Sequence, residues 1–251
     1  MRAESPKTHH VPSLRALWKD AFGDTDDFLD AFFSTAYSLD RCLTLIENGT
    51  PVASLYWFDC VCHDRPIAYL YAIATDRAHR GHGLCRTLME DTHKQLEGRG
   101  YAGSILVPSD AGLFEMYRKM GYSVDVPITT VTVTAPSGRV RLEEIDPNHH
   151  AALRRRYLPH GAVIQEGESL DFLATQCRFY AGDDVLLACR LQNGTLHGAE
   201  LLGNIDRAPS ITATLGAKTA TFRTVGSRSP FALYRPITLA AAPSYFAFAF
   251  D

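Results

Sequence analysis

The stretch Arg80-Gly81-His82-Gly83-Leu84-Cys85-Arg86 has the composition of an anion-binding loop. Glycines remove side chains, so that backbone N–H groups can close on an anion, and a helix beginning just after them adds its positive end. The cationic run from Arg77 to Arg86 suits one diphosphate. The dinucleotide fingerprint G-x-G-x-x-G is not completed, because Arg86 stands at the third glycine position, and no Gly-Lys-Ser/Thr follows to make a P-loop. His82 reads either as a phosphate contact or as an exposed loop side chain. Cys85 reads either as a thiol activated by a helix start or as a small core residue, and no histidine partner is placed by the sequence.

The elements that must position this loop follow from periodicity. Residues 67–75 and 101–107 read as strands, and residues 83–98 between them carry Leu84, Leu88 and Leu96 at helical spacing. The two strands are expected to be parallel neighbours joined by that helix. Ser109 is expected to cap a further helix whose stripe is Leu113, Phe114, Tyr117 and Met120, closed by Gly121. Upstream, Ser13 and Thr25 are expected to cap two amphipathic helices, and residues 43–46 and 52–62 read as hairpin strands. Pro136-Ser137-Gly138 is the boundary candidate, giving domains 1–135 and 136–251. The second begins with a strand at 140–145 and a helix at 151–157, has a hairpin centred on Asn193-Gly194, and ends in strand-like runs at 210–214, 219–224 and 245–250. The fold class is α/β, and Arg154-Arg155-Arg156 reads as a solvated helix face.

Composition narrows the function classes. Twenty-five Lys and Arg against 28 Asp and Glu leave a formal charge of -3, which gives no global attraction to nucleic acid or to anionic membranes. Six cysteines are too few for a disulfide-stapled domain and are read as reduced. Cys60-x-Cys62 is the one close pair, without a second ligand pair at zinc spacing, so no metal is expected. No signal peptide or membrane helix is read, and a soluble, cytoplasmic protein is expected.

The R-x-x-G-x-G/A element at Arg80–Cys85, followed by Leu113-Phe114-Glu115-Met116-Tyr117-Arg118-Lys119-Met120-Gly121-Tyr122, resembles two motifs of the GCN5-related N-acetyltransferases, the GNAT superfamily. Within it, His79-Arg80-x-x-Gly83-Leu84-x-Arg86 and the presence of a second domain look most like the enhanced-intracellular-survival type. The resemblance covers residues 10–135 well. It implies a GNAT fold with a mixed twisted sheet in the first domain and, by analogy of fold, a degenerate GNAT-like copy in the second.

The resemblance also implies roles. Backbone groups of Ile73, Ala74 and Thr75 would hold the pantetheine arm and acetyl carbonyl of acetyl-CoA, and Arg80, Gly81, His82, Gly83, Leu84 and Cys85 its pyrophosphate. Ser109 and Asp110 would border it, and Tyr117 matches the tyrosine that protonates the departing thiolate. A thiolate of pKa about 8.5 needs little help, and a phenol of pKa about 10 can give it. Tyr117 could equally fill the helix stripe. In the survival-type relatives the base is the C-terminal carboxylate, which places Asp251 as base, against its reading as a solvated end. The partners implied are acetyl-CoA and an amine acceptor, with room for a homo-oligomer. A non-catalytic acyl-CoA-binding module and a transferase of longer acyl groups stand as rivals.

Overall fold

The computed structural model describes residues 1–250, which divide into two compact units: Met1–Val124 with Leu233–Ala242, and Asp125–Ala232 with the chain that follows Ala242. The expected boundary at Pro136-Ser137-Gly138 lies inside the second unit, because the strand before it pairs there.

The first unit opens with α1 (Val11–Phe22) and α2 (Asp26–Thr35). Pro12 in the first turn starts α1 ahead of the expected cap Ser13, since proline's fixed φ suits a helix start and its missing N–H costs nothing there. Thr25 caps α2 as expected, accepting from Phe28 N at 3.3 Å. Strands β1 (Cys42–Glu47), β2 (Thr50–Cys62) and β3 (Arg65–Thr75) form an antiparallel meander. The chain then crosses through α3 (Leu84–Gly98) to β4 (Gly103–Leu106), parallel to β3 as the periodicity predicts. Residues 233–236 close this sheet, antiparallel to β4. Trp57, Leu70, Leu88, Leu96, Leu106 and Leu233 pack one face, with α4 (Ala111–Arg118) above them. Trp18 and Phe32 pack against Tyr56 and Tyr71 on the other.

The second unit contains β5 (Val124–Val133, of which residues 125–133 belong here), β6 (Glu143–Ile145), α5 (Pro147–Tyr157), β7 (Ile164–Gln165), α6 (Glu168–Ala174), β8 (Arg178–Ala181), β9 (Val185–Gln192), β10 (Thr195–Gly203), α7 (Ala208–Thr214) and β11 (Thr219–Pro236, of which residues 219–232 belong here). Strands β6, β8, β9 and β10 are antiparallel in that order, with the expected turn at Asn193-Gly194. β10 and β11 are parallel, and β5 pairs with β11.

Three expectations for this unit are corrected. Residues 210–214 are helical, because Pro209 opens a turn whose Ala208, Ile211 and Thr212 share one buried face. The run at 245–250 is not a strand: it is buried, and its carbonyls go to scattered partners, Tyr245 O to Val163 N and Phe248 O to Gln165 Nε2, each at 2.9 Å, and Ala247 O to Arg223 at 3.4 Å. Arg154 is buried rather than solvated, in a bidentate pair with Glu200 at 2.6 and 2.9 Å and with its guanidinium 4.2 Å over the Phe248 ring. Arg155 does face solvent, paired with Glu166 at 2.6 Å. No helix among the described residues is long and apolar enough to cross a membrane.

Candidate active site

The site is built where two neighbouring strands stop pairing. β3 and β4 are joined only from Ile67 opposite Gly103 to Tyr69 opposite Ile105. Beyond that β3 runs on to Thr75, and the edge it turned toward β4 is left for another partner. In the same stretch β3 carries a bulge. Tyr71 faces Tyr56 and Ala74 faces Ser54, so Ala72 and Ile73 together oppose the single residue Leu55. Ala72 takes φ +47°, a conformation that a side chain disfavours and that re-aims the peptide groups around it. The expected pantetheine-binding residues Ile73, Ala74 and Thr75 follow directly.

The turn after β3 is fixed by charge. Asp76 caps Ala78 N at 3.0 Å and lies 2.6 Å from His79 Nδ1, while His79 Nε2 lies 2.9 Å from Glu47 at the end of β1. Hydrogen bonds to Asp76, then to Glu47, raise the His79 pKa, and the bond to His79 lowers that of Asp76. Arg77 is tied to Asp20 at 3.0 Å, and Arg80 Nε donates to Thr75 O at 3.0 Å.

Arg80, Gly81, His82 and Gly83 are exposed, and Leu84 and Cys85 are half-buried. Gly81 and Gly83 have φ of +82° and +75°, and a Cβ on either would meet nothing within 4 Å, so the loop needs glycine for its backbone and opens onto free space. Gly83 is the N-cap of α3, whose first turn carries no acidic side chain. The first N–H groups of a helix have no intrahelical partner, and here no carboxylate of that turn competes for them. His82 is the exposed side chain of one of its two readings. Burial raises the Cys85 thiol pKa, with Arg86 opposing, which favours a packed thiol over a thiolate nucleophile.

Asp110, not Ser109, caps α4, accepting from Leu113 N at 2.9 Å, because the helix begins at Ala111 and so puts Asp110 at the N-cap. Both residues are exposed. Tyr117, on the last turn of α4, is 6% exposed. Burial holds its phenol pKa far above the usual value, and the thiol of Cys85 and the groups of Tyr122 and Asp110 push the same way. The proton it could give therefore stays in place at any physiological pH. α3 and α4 thus bring Cys85 and Tyr117 to one apolar cluster, which also holds Leu70 of β3 and Leu106 of β4. Asp251, expected as base, lies outside the described residues. Among those residues no three His, Cys, Asp or Glu side chains could hold a metal ion.

Sequence reasoning missed the Glu47–His79–Asp76 clamp and the bulge at Ala72. The Asp76-x-x-His79 spacing on a tight turn was the available signal for the first. Nothing in the type of Ala72 announces the second.

Comparisons with known proteins agree with this geometry. Residues 3–124 match the family model described as an acetyltransferase (GNAT) domain. No curated protein sequence matches the chain. Among solved structures, a GCN5-related N-acetyltransferase from Kribbella flavida superposes with a TM-score of 0.70 at 15% identity, over 94% of this chain and 71% of that one. Eis1 from Mycobacterium abscessus gives 0.64 at 15% identity, over 94% and 73%. A GCN5-related N-acetyltransferase from Anabaena variabilis gives 0.69 at 14%, over 94% and 72%. At these identities the solved structures establish the fold, and the family model, matching the unit that holds the loop, the bulge and Tyr117, establishes the rest: residues 3–124 are an acetyltransferase domain of the GNAT family.

Proposed function

We propose that the first unit transfers the acetyl group of acetyl-CoA directly to a primary amine, with Tyr117 as general acid. The observation that carries this reading is the parting of β3 from β4 beside an open, glycine-lined helix start. The edge of β3 at Ile73, Ala74 and Thr75, past the last pairing with β4, suits an extended amide-bearing arm, with Thr75 O already accepting from Arg80 Nε, and the Arg80–Cys85 loop suits a diphosphate. Ser109 and Asp110 stand exposed at the start of α4, where they would border that arm. The C–S bond of the thioester breaks as the amine forms the C–N bond. Tyr117 gives its proton to the leaving sulfur, and the amine's proton is assigned to Asp251. The joints of the first sheet, an antiparallel meander leading into a parallel strand–helix–strand, recur in the second unit at β9, β10, α7 and β11. That recurrence supports reading the second unit as a degenerate copy. It lacks a second R-x-x-G-x-G, so the cofactor role is assigned to the first unit alone.

Calorimetry with CoA and turnover of acetyl-CoA over a panel of amines test the reading. Tyr117→Phe is expected to slow transfer by about 10²-fold while CoA affinity is kept. Two residues added after Asp251 are expected to abolish transfer with CoA affinity intact. CoA binding with no amine acetylated would leave a binding module as the better description.

A further inference from the structure

We propose that His93 and Arg235 act as positioning residues for Tyr117 by locking Tyr122 behind it, an inference that rests on Tyr117 being the acid. Three polar side chains meet at His93 inside the first unit. Nε2 lies 3.0 Å from Ser104 Oγ and 3.0 Å from the Tyr122 hydroxyl, and those two oxygens are 2.8 Å apart. On the other side of the ring, Nδ1 lies 3.1 Å from Arg235 Nη1. A guanidinium can only donate, so Nδ1 accepts, and the single proton of a neutral ring sits on Nε2, donated into the hydroxyl pair. Burial, and then the Arg235 charge, lower the His93 pKa to about 4, in keeping with that neutral form.

The network converges on the segment that carries Tyr117. Arg235 Nη1 also donates to Met120 O at 2.8 Å, a cation on a carbonyl just past the negative end of α4. Tyr117 O accepts from Met120 N at 2.9 Å and from Tyr122 N at 3.2 Å. The Tyr117 and Tyr122 rings meet edge to face, their centroids 6.0 Å apart at 69°. Tyr122 is fully buried, and its hydroxyl is held by α3 through His93 and by β4 through Ser104. The Tyr117 ring is therefore seated against a neighbour whose place is set by hydrogen bonds to two other elements. An apolar contact in place of Tyr122 would fill the same space, and it would leave the buried Ser104 hydroxyl and His93 Nε2 with only each other. The cost of so polar a core is offset by direction, because hydrogen bonds fix an orientation that dispersion contacts leave loose.

Tyr122→Phe keeps the ring and removes only the hydroxyl. It is compared with Arg235→Lys, each made in the full chain and again on Tyr117→Phe, after thermal unfolding and CoA calorimetry verify folding. Cleavage of acetyl-CoA is followed by thiol release, in water and with spermidine, tryptamine, an aminoglycoside or a lysine-containing peptide present. Tyr122→Phe is expected to lower kcat about tenfold with KM for acetyl-CoA and CoA affinity within about twofold of the parent. On Tyr117→Phe the same change is expected to cost less than about twofold further, because residues acting as a unit are not additive. Arg235→Lys, which keeps a donor, is expected to retain more activity than Arg235→Met. Additive losses on both backgrounds, or a loss shared equally by CoA affinity, would overturn the positioning role and leave the acid in place. Unchanged kcat in Tyr117→Phe alone, or no cleavage by the parent protein, would instead overturn the acid, and this inference with it.

Discussion

His79 Nε2 lies 2.9 Å from Glu47, so an imidazole on the turn after β3 is bonded to a carboxylate that ends β1. With Asp76 on the other ring nitrogen, the clamp ties the approach to the anion loop to the sheet behind it.

The sign of its pH dependence follows from the raised His79 pKa and the lowered Asp76 pKa. The histidine contribution is complete below about 6.5, its unfolded value, and is lost as pH rises through the higher folded value. The Asp76 contribution is present above its unfolded value and is lost as pH falls through the lower folded one. CoA affinity, measured by calorimetry in buffers of equal ionic strength, is expected to decline on the alkaline side in the parent protein. In His79→Gln that alkaline decline is expected to flatten.

Two other histidines act in the opposite sense. Burial lowers the pKa of His93 to about 4 and that of His150 to about 3, and nearby Arg235 and Arg154 push each further down. Both are neutral in the native protein, so their contribution is present above about pH 6.5 and is lost as pH falls toward those values. For His93 the loss is on the order of 3 kcal/mol when complete. Urea unfolding between pH 7 and pH 4 is expected to show a steep fall in stability, less steep in His150→Phe, whose ring would still stack between Phe179 and Phe248.

Gly83→Ala tests the loop. At φ +75° an alanine strains the backbone by about 1–2 kcal/mol although the space is open. Thermal stability is expected to fall slightly and CoA affinity by about tenfold or more, since 1.4 kcal/mol is a factor of ten. The same substitution at Gly98, which has no positive φ and also stands in open space, is expected to leave CoA affinity unchanged.

Glu200→Gln tests the core of the second unit. It leaves Arg154, about 2% exposed, with a buried charge and no carboxylate at 2.6 Å. A loss of about 3–5 kcal/mol in chemical unfolding is expected. Replacing both partners, as Arg154→Met with Glu200→Leu, is expected to recover part of it.

What was readable in the sequence was what is local. The loop glycines, α3, the parallel step to β4 and the turn at Asn193-Gly194 each depend on residues within a few positions of one another. The run 245–250 alternates like a strand because its residues are apolar, yet no strand pairs with it. Its long-range hydrogen bonds go to Val163, Gln165 and Arg223, far along the chain. Arg154 reads as one of three surface arginines because Glu200, the residue that draws it inward, is distant in sequence. The positions of Tyr117 and Cys85 were legible from motif and stripe, whereas the His93 network was not, since its four members come from four separate segments.

The bulge in β3 has an evolutionary corollary. Removing Ala72 alone would let Ile73 face Leu55 and leave Tyr71 opposite Tyr56 and Ala74 opposite Ser54. Every flanking side chain would keep its face of the sheet, and the core would be undisturbed. The irregularity is thus separable from the fold by a single codon, so the lineage could shed or regain it without having to rebuild the domain.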